Sequence, residues 1–220
     1  VIVVADSPGF WVNRILAHYM NEAGILISEG VPFEVIDRAM TRFGFPVGPV
    51  TLLDEVGLDV ARKVGGVMLQ ALGERLKAPD VIARMTEDGR MGRKNGRGFY
   101  LYRKGKKSGV DESAYRMIGV EPLTGSDEAT VQRRLAYAML NEAALGMAVG
   151  LVRSPRDGDI GAIFGIGFPP FRGGPLRMID ALGPAEVVKT LEDLVRDFGD
   201  RFTPAAPLVE MARRADTFYR

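Results

Sequence analysis

The 220-residue sequence contains no cysteine and a single histidine, His18. The missing cysteine excludes disulfides, thiolate zinc sites and cysteine nucleophiles, and one histidine leaves no two-histidine metal site. Basic and acidic residues number 29 and 28, which excludes a strong net field for nucleic acid or an anionic membrane. No apolar run reaches the roughly 18 residues of a membrane span. We therefore expect a soluble, cytoplasmic protein with no metal site, nucleic-acid partner or transmembrane segment.

One helical pattern occurs twice in the chain. The matched segments are 21–23 with 141–143 (NEA), 44–46 with 167–169 (GFP), 48–49 with 174–175 (GP), and positions 54 and 57 with 180 and 183 (D and G). Ordered matches at a nearly constant separation indicate two related units rather than a short-period solenoid. We predict a first copy over 1–108, a linker over 109–124 and a diverged second copy over 125–220.

Apolar periodicity predicts that both copies are helical. The i, i+3, i+4, i+7 stripe that starts at Val12 indicates a long amphipathic helix ending near Gly30, and shorter helices follow in each copy. Ser126 is the expected N-cap of the second long helix. The β-branched run 1–4 (VIVV) predicts a strand, and no downstream segment offers a partner strand. We therefore interpret it as the last strand of a sheet in a preceding domain.

Asn13 is the first candidate for chemistry. It lies just after a rigid turn at residues 6–10 (DSPGF) and falls off the apolar stripe of the helix that follows. A side-chain amide at a helix N-terminus offers a donor and an acceptor in fixed geometry. Asn13 is therefore suited to orient a substrate carbonyl or a catalytic base. The alternative is that it only satisfies backbone groups at the turn.

Lys94 is the second candidate, in the glycine-rich basic loop at residues 92–98 (GRKNGRG). Glycines let the backbone approach a ligand closely, and an ammonium can bind a phosphate. The spacing matches neither a Walker A motif nor the dinucleotide fingerprint GxGxxG. On its residues alone, the loop fits a solvated basic turn as well as a ligand clamp.

Three other features have structural as well as functional interpretations. Residues 165–175 (GIGFPPFRGGP) could line an apolar slot for an acyl chain, or form a rigid corner that buries Phe168 and Phe171. The acidic pair Asp54 and Glu55 reads as solvation of a helix end. We expect His18, in mid-helix without a metal-binding partner, to be structural or at the surface.

Several segments together resemble the C-terminal helical domain of 3-hydroxyacyl-CoA dehydrogenases. They are residues 6–14 (DSPGFWVNR), 22–23, 29–30, 36–37, 48–49 with 54, 57–59 and 92–100 (GRKNGRGFY). The second copy, with residues 167–171 (GFPPF) and 173–175 (GGP), is similar to the end of the multifunctional fatty-acid oxidation α-subunit, which joins an enoyl-CoA hydratase to this dehydrogenase. The resemblance spans the chain and implies an all-α fold, with two tandem helical domains like the C-terminal domain of 6-phosphogluconate dehydrogenase.

The resemblance also implies a division of labour. In this family a Rossmann domain binds NAD and carries a histidine paired with a glutamate, and the histidine takes the hydroxyl proton as hydride leaves C3 of the acyl-CoA. The helical domain closes over the substrate. The family's helical-domain asparagine maps onto Asn13, its loop lysine near the cofactor maps onto Lys94, and a substrate-contacting tyrosine of some relatives maps onto Phe164, which lacks the hydroxyl.

These implications set the functional expectations. The Rossmann fingerprint and the catalytic histidine and glutamate are absent from the sequence, so we expect this chain alone to have no turnover. Expected partners are acyl-CoA, upstream Rossmann and enoyl-CoA hydratase domains, a candidate thiolase subunit and a second copy bound through the helices. Two alternatives remain: a non-catalytic helical dimerisation module, and a related 3-hydroxy-acid or sugar-acid dehydrogenase. The second copy argues against the last, because smaller relatives are expected to have one.

Overall fold

We describe the fold from a computed structural model in which residues 1–219 are described. The fold is all-α apart from one small hairpin, as expected. The helices are α1 (Val12–Ser28), α2 (Phe33–Phe43), α3 (Pro49–Val56), α4 (Leu58–Leu72), α5 (Val81–Glu87), α6 (Glu112–Ile118), α7 (Glu128–Ala148), α8 (Pro155–Ile166), α9 (Pro175–Leu182), α10 (Pro184–Phe198) and α11 (Ala206–Arg214). Short 3₁₀ turns cover Gly73–Leu76, Pro170–Arg172 and Asp200–Phe202.

The chain divides into two compact units that differ from the predicted boundaries. One, here called the middle unit, is Met20–Gln132, and the other, the terminal unit, combines Val1–Tyr19 with the stretch from Arg133 onward. The unit boundaries fall within α1 and α7. The proposed copies over 1–108 and 125–220 describe the sequence repeat and stay a prediction, because compactness divides the chain elsewhere.

The middle unit packs helices around a cluster of aromatic rings. Phe33 at the start of α2 stacks on Tyr115 of α6 with ring centroids 4.0 Å apart, and Phe99 meets Phe33 edge-on at 5.0 Å. The Tyr115 hydroxyl also accepts a hydrogen bond from the Phe33 backbone amide at 2.9 Å. Residues 109–124 therefore include a packed helix of this unit and are not an extended linker throughout.

The hairpin of the middle unit was not anticipated. Strands β1 (Tyr100–Arg103) and β2 (Lys106–Val110) pair antiparallel, with Tyr100 opposite Val110 and Arg103 opposite Lys106. The two linking residues, Lys104 and Gly105, both have positive φ, of 49° and 75°. Two central residues of positive φ match the twist of an antiparallel pair, which is why this lysine-rich stretch turns tightly.

In the terminal unit the N-terminal residues do not form the expected strand. Within residues 1–219, the run 1–4 makes one isolated antiparallel bridge, from Val4 to Val152, and the Ala5 amide donates to the Leu151 carbonyl at 2.9 Å. A single bridge satisfies too few backbone groups to define a strand. The N-terminal segment is thus an ordered extension held against the segment before α8.

Asp127, and not Ser126, caps α7. The Asp127 carboxylate accepts the backbone amides of Ala129 and Thr130 at 3.1 and 3.0 Å, and the Thr130 hydroxyl at 2.6 Å. The expectation for Ser126 was therefore wrong by one residue. An aspartate N-cap also places a negative charge at the positive end of the helix dipole, which favours this register.

The repeat is visible in a pair of buried carboxylates. In the first copy, Asp37 accepts the Tyr100 hydroxyl at 2.8 Å and caps the start of α3 through backbone amides. In the second, Asp159 accepts the Tyr219 hydroxyl at 2.6 Å and caps the start of α9 in the same way. The same polar connection therefore ties a helix, the next helix start and a distant tyrosine together in both copies.

A second pair of carboxylates repeats as well. Asp54 accepts the two backbone amides of residues 99–100 at 3.0 and 2.9 Å. Asp180 accepts the amides of residues 218–219, both at 2.8 Å. A Phe-Tyr dipeptide provides the donating amides in both copies. Four matched carboxylates in matched roles indicate that the two copies share one folding plan.

Candidate functional site

The turn before α1 exposes Asn13. Gly9 and Phe10 both adopt positive φ, of 74° and 51°, and the Phe10 amide donates to the Ser7 carbonyl at 2.7 Å. A left-handed conformation is strained for a bulky residue such as phenylalanine. Asn13 then falls in the first turn of α1, where its side chain is exposed and, among residues 1–219, has no hydrogen-bond partner. The structural alternative, in which its amide satisfies the turn, is not what the structure has.

Trp11 anchors this turn. Its side chain is fully buried, and its indole Nε1 donates to the Gly158 carbonyl at 2.8 Å. A Cβ at Gly158 would lie 2.9 Å from the Trp11 ring, and one at Gly161 would lie 2.5 Å from Ile2 Cδ1. The glycines of α8 therefore let the N-terminal segment approach closely. Residues on either side of Trp11 are held in place by the helix of the second copy.

Phe164 lies at the same contact between α1 and α8. It is 86% exposed, and its neighbour Gly165 is so close to Val12 that a Cβ there would lie 2.8 Å from Val12 Cγ1. Asn13 follows Val12 and Phe164 precedes Gly165 in the chain, so both of these expected site residues adjoin this contact in the terminal unit. An exposed aromatic ring suits an apolar part of a ligand, and an exposed, unpaired amide suits a carbonyl.

Lys94 belongs to the middle unit. Its ammonium forms an ion pair with the Asp59 carboxylate at the start of α4, and the lysine side chain keeps 46% of its surface exposed. The hydrogen bond from Lys94 holds the pKa of Asp59 below its usual value. The loop itself is tied to α3, because the Arg93 amide donates to the Asp54 carbonyl at 2.8 Å. A cation fixed in this way is suited to contact an anionic group of a ligand.

The corner at residues 165–175 buries one of its two phenylalanines and exposes the other. Phe168 is buried, with 1% of its surface exposed, whereas Phe171 is 74% exposed. The rigid-corner reading is thus correct for Phe168 and wrong for Phe171, which lies under the Arg172 guanidinium at 5.4 Å.

The sequence suggested that Asp54 solvates a helix end, and the structure contradicts this interpretation. It is fully buried, and burial raises its pKa to about 6 even though the amides of Tyr100 and Phe99 lower it. A Cβ at Gly92 would lie 2.7 Å from the Asp54 Cα, so the basic loop packs directly onto this residue. The repeated Phe-Tyr dipeptide at 99–100 and 218–219 is the sequence signal that could have revealed this role.

His18 is structural, as expected. Its Nε2 lies 3.3 Å from Glu142, and its Nδ1 lies 3.1 Å from the Arg14 carbonyl. The Glu142 carboxylate is buried and also accepts Arg14 Nε at 2.5 Å. This histidine and glutamate lie on α1 and α7 and are buried, with 9% and 1% of their surfaces exposed.

A polar cleft of about 460 Å³ lies beside Asp37, Thr51 and Lys107 in the middle unit. The Lys107 ammonium donates to the Thr51 hydroxyl at 2.8 Å and lies 4.2 Å from the Tyr100 ring centroid. In the second copy, Arg177 similarly covers the Tyr219 ring at 4.3 Å. Because both copies have this arrangement, we interpret it as part of the shared fold.

Within residues 1–219, no helix combines the length and apolar character needed to cross a bilayer. The same range contains no cluster of three or more histidine, aspartate or glutamate side chains placed to hold a metal ion.

Known proteins with a similar sequence or fold identify what this chain is similar to. Residues 9–102 match the family described as 3-hydroxyacyl-CoA dehydrogenase, C-terminal domain. The whole chain is similar to the fatty acid oxidation complex subunit alpha of Shewanella amazonensis, at 54% identity over 99% of this chain. The homologue of Shewanella loihica is 52% identical over the same share. The resemblance inferred from the motifs is confirmed.

The chain spans about a third, 31%, of the length of these relatives. Two solved structures share its fold. They are 3-hydroxybutyryl-CoA dehydrogenase from Escherichia coli, with a TM-score of 0.78 at 22% identity over 97% of this chain and 61% of that one, and the dehydrogenase part of multifunctional enzyme 1 from C. elegans, with 0.68 at 24% over 94% and 48%.

Proposed function

We propose that this chain is the substrate-closing and assembly part of an NAD-dependent L-3-hydroxyacyl-CoA dehydrogenase of fatty-acid β-oxidation. The reaction converts 3-hydroxyacyl-CoA and NAD to 3-ketoacyl-CoA and NADH. The observation that carries the proposal is the 54% identity to a fatty acid oxidation subunit along nearly the whole chain. The structure supports the proposal through the exposed, unpaired amide of Asn13, which lies in the part of the chain that matches the dehydrogenase family.

Asn13 is proposed to orient the acyl group and the catalytic histidine of the adjoining domain. Its amide can donate to a substrate carbonyl and accept from an imidazole N–H at the same time. The turn at Gly9 and the buried Trp11 fix the start of α1, so the amide is positioned before the substrate arrives. A preorganised donor of this kind contributes most where charge develops on an oxygen.

Lys94 is proposed to contact NAD, most of which would bind to the Rossmann domain. NAD accepts the hydride when bound, and it carries two negatively charged phosphates. An exposed ammonium that is already held by Asp59 fits such an anionic group, because the carboxylate restrains the lysine without burying it. The role of this chain in binding NAD is therefore peripheral.

Phe164 is proposed to contact the acyl chain. Where some relatives have a tyrosine, this residue offers only an apolar ring, and 86% of its surface is available for a ligand to cover. Covering an aromatic side chain contributes through apolar burial without a hydrogen bond. This contact would therefore favour hydrocarbon over polar substituents at that part of the substrate.

The proposed partners follow from the longer relatives. We propose upstream Rossmann and enoyl-CoA hydratase domains in the same polypeptide, a thiolase subunit, and homo-oligomer formation through the helices, all in the cytoplasm. The length of the relatives, about three times that of this chain, supports the presence of further domains.

The test compares this chain with the longer protein. The full reading frame is determined, and both proteins are assayed for NADH formation from 3-hydroxyacyl-CoA and NAD. The proposal expects turnover from the longer protein and none from the 220-residue chain. NADH formation by the chain alone would refute the division of labour, and a longer protein without this activity would refute the function.

A further inference from the structure

The carboxylate of Glu142, on α7, contacts α1 at two points. Its Oε1 atom accepts a hydrogen bond from Arg14 Nε at 2.5 Å, and its Oε2 atom lies 3.3 Å from His18 Nε2. The Glu142 side chain has no exposed surface, and the side chains of Arg14 and His18 are 11% and 10% exposed. A carboxylate buried in this way is costly without partners, so these contacts restrict how the first turns of α1 lie against α7.

Asn13 lies between two anchored residues of the chain. Trp11, two positions earlier, donates its indole N–H to a carbonyl of α8, and Arg14, one position later, is held by Glu142. His18 adds a connection to the backbone of the same turn, because its Nδ1 lies 3.1 Å from the Arg14 carbonyl. Asn13 itself is exposed and, in the described part of the chain, has no hydrogen-bond partner. The direction of its amide therefore depends on how its neighbours hold the start of α1.

The sequence repeat shows which of these residue types both copies share. At the spacing of 120 residues, charged side chains of the two long helices correspond in pairs, Arg14 with Arg134 and Glu22 with Glu142. All four are buried. A buried arginine and a buried glutamate at these positions are thus part of the folding plan common to both copies.

The histidine, in contrast, belongs to the first copy alone. Position 138, which corresponds to His18, is alanine, and position 133, which corresponds to Asn13, is arginine. The histidine is therefore present in the copy that has the asparagine and missing from the copy that lacks it. A contact needed only to fold the repeat should occur in both copies, so the contact between His18 and Glu142 points to a role connected with Asn13.

We propose that Glu142 is a positioning residue for Asn13, acting through Arg14 and His18. The inference rests on the proposed function, in which the Asn13 amide orients the acyl group and the catalytic histidine of the adjoining domain. A misplacement of about 1 Å can lower the rate of an enzyme about a hundredfold, so a fixed start of α1 matters for turnover. Glu142 has no exposed surface for a ligand and therefore acts only through the residues of α1 that it holds.

The test is a double-mutant cycle in the longer protein. Glu142→Gln, which keeps the size of the side chain and removes its charge, is made in the parent and in Asn13→Ala, and kcat and KM for 3-hydroxyacyl-CoA are measured from NADH formation. In the parent we expect kcat to fall about tenfold with KM within about twofold, since an oriented group acts mainly on the transition state. In Asn13→Ala the same substitution should change kcat by less than about twofold, because the residue through which Glu142 acts is gone. A purely structural role would lower kcat in both backgrounds.

Asn141→Ala is the matched control. Asn141 directly precedes Glu142 on α7 and is also buried, but its side-chain amide donates to the Thr203 carbonyl at 2.9 Å and accepts the Ala205 amide at 2.8 Å. The variant removes buried hydrogen bonds from the same helix and leaves the contacts with α1 in place, so its kcat should stay within about twofold of the parent.

His18→Ala covers the case in which Glu142→Gln does not fold. It introduces the residue found at position 138 of the second copy and removes only one of the two contacts to Glu142. Its kcat should fall about threefold, again only where Asn13 is present. Circular dichroism and thermal unfolding establish that each variant is folded.

Three results would overturn the positioning role. The first is a parental kcat in folded Glu142→Gln, or in His18→Ala if Glu142→Gln does not fold. The second is a loss of kcat that persists undiminished in the Asn13→Ala background, and the third is an equal loss in Asn141→Ala. Each of these leaves the proposed function standing, because the parent forms NADH. A parent that forms no NADH would instead overturn the proposed function.

Discussion

Two aspartates of the middle unit, Asp54 and Asp111, have opposite electrostatic environments. Burial raises the pKa of Asp54 to about 6. Burial would raise the pKa of Asp111 too, but hydrogen bonds from Ser113 and Arg90 lower it to about 2. The folded protein therefore binds a proton more tightly at Asp54, and less tightly at Asp111, than the unfolded chain does. Each residue ties the stability of this unit to pH in its own direction.

The first prediction concerns Asp54→Asn. Because the folded pKa of Asp54 is raised, its contribution to stability is complete below about pH 4 and is lost as the pH rises to about 6. A pKa change of this size corresponds to roughly 3 kcal/mol. We therefore expect the parent to have a higher free energy of unfolding than the variant in denaturant unfolding of the 220-residue chain. This difference should be larger at pH 4 than at pH 7 by roughly 3 kcal/mol.

Asp111→Asn serves as the opposing control. Its lowered pKa makes its contribution complete above about pH 4 and removes it as the pH falls toward 2. The difference between parent and this variant should thus be constant from pH 5 to 8 and shrink in acid. If Asp54→Asn left the slope between pH 4 and 6 unchanged, the account of its burial would be wrong.

The second prediction uses two glycines in different surroundings. A Cβ at Gly48 would lie 2.5 Å from Asp37 Cβ, whereas a Cβ at Gly66 would meet open space. Gly48→Ala should destabilise the chain by about 1–3 kcal/mol through overpacking. Gly66→Ala should stabilise it by up to about 1 kcal/mol, because alanine favours a helix interior. Thermal unfolding measures both, and a stabilising Gly48→Ala would contradict the packing described at Asp37.

The sequence predicted the exposure of motif residues better than the surroundings of buried polar residues. A local turn and a glycine-rich loop singled out Asn13 and Lys94, which are both exposed, and their roles at a site stay predictions. Asp54 was misread because its partners, residues 99–100, lie some 45 positions away, and the burial that sets its pKa depends on that contact. Phe171 was misplaced for the same reason: nothing local decides which of two phenylalanines in a corner is buried.

Among the elements, α8 fixes the start of α1 through a row of small residues. Gly158, Gly161 and Gly165 all face the segment that contains Ile2, Trp11 and Val12. Glycine is weak in a helix, so its use at three positions on one side indicates that close approach matters more here than helix propensity. The position of Asn13 thus depends on a helix more than 140 residues further along the chain.

The third prediction tests this contact with the only tryptophan of the chain. Gly161→Val would place atoms onto Ile2 and Trp11 and should displace the buried indole toward water. The fluorescence maximum of Trp11 should therefore shift to longer wavelength in the folded variant, while Gly66→Ala leaves it unchanged. An unshifted spectrum in Gly161→Val would show that the segment tolerates a side chain at this position.

Helices were predictable from the sequence, and the hairpin was not. The apolar stripe that starts at Val12 predicted a long helix ending near Gly30, and α1 spans Val12–Ser28. The strand β2 was not predicted, because its residues are mostly polar and the first four of its five residues are exposed. Its existence depends on pairing with β1, which a local pattern does not encode.

At the scale of the whole molecule, the two copies keep the same carboxylate framework and differ in what they expose. The first copy has the candidate residues Asn13 and Lys94 and a bare α4, and the second has a covered α10. The equivalent of Asn13 at the spacing of 120 residues is Arg133, an exposed side chain on α7. The two copies therefore differ in the side chains that they present at these equivalent positions.

The central claim is that this chain supplies a positioned amide to an active site completed by another domain. The most direct measurement is turnover of the longer protein, as NADH formed from saturating 3-hydroxyacyl-CoA, for Asn13→Ala beside Arg133→Ala. The account predicts a loss of about a hundredfold or more for Asn13→Ala, with unchanged helix content by circular dichroism, and near-parental turnover for Arg133→Ala. Parental turnover in folded Asn13→Ala would contradict it.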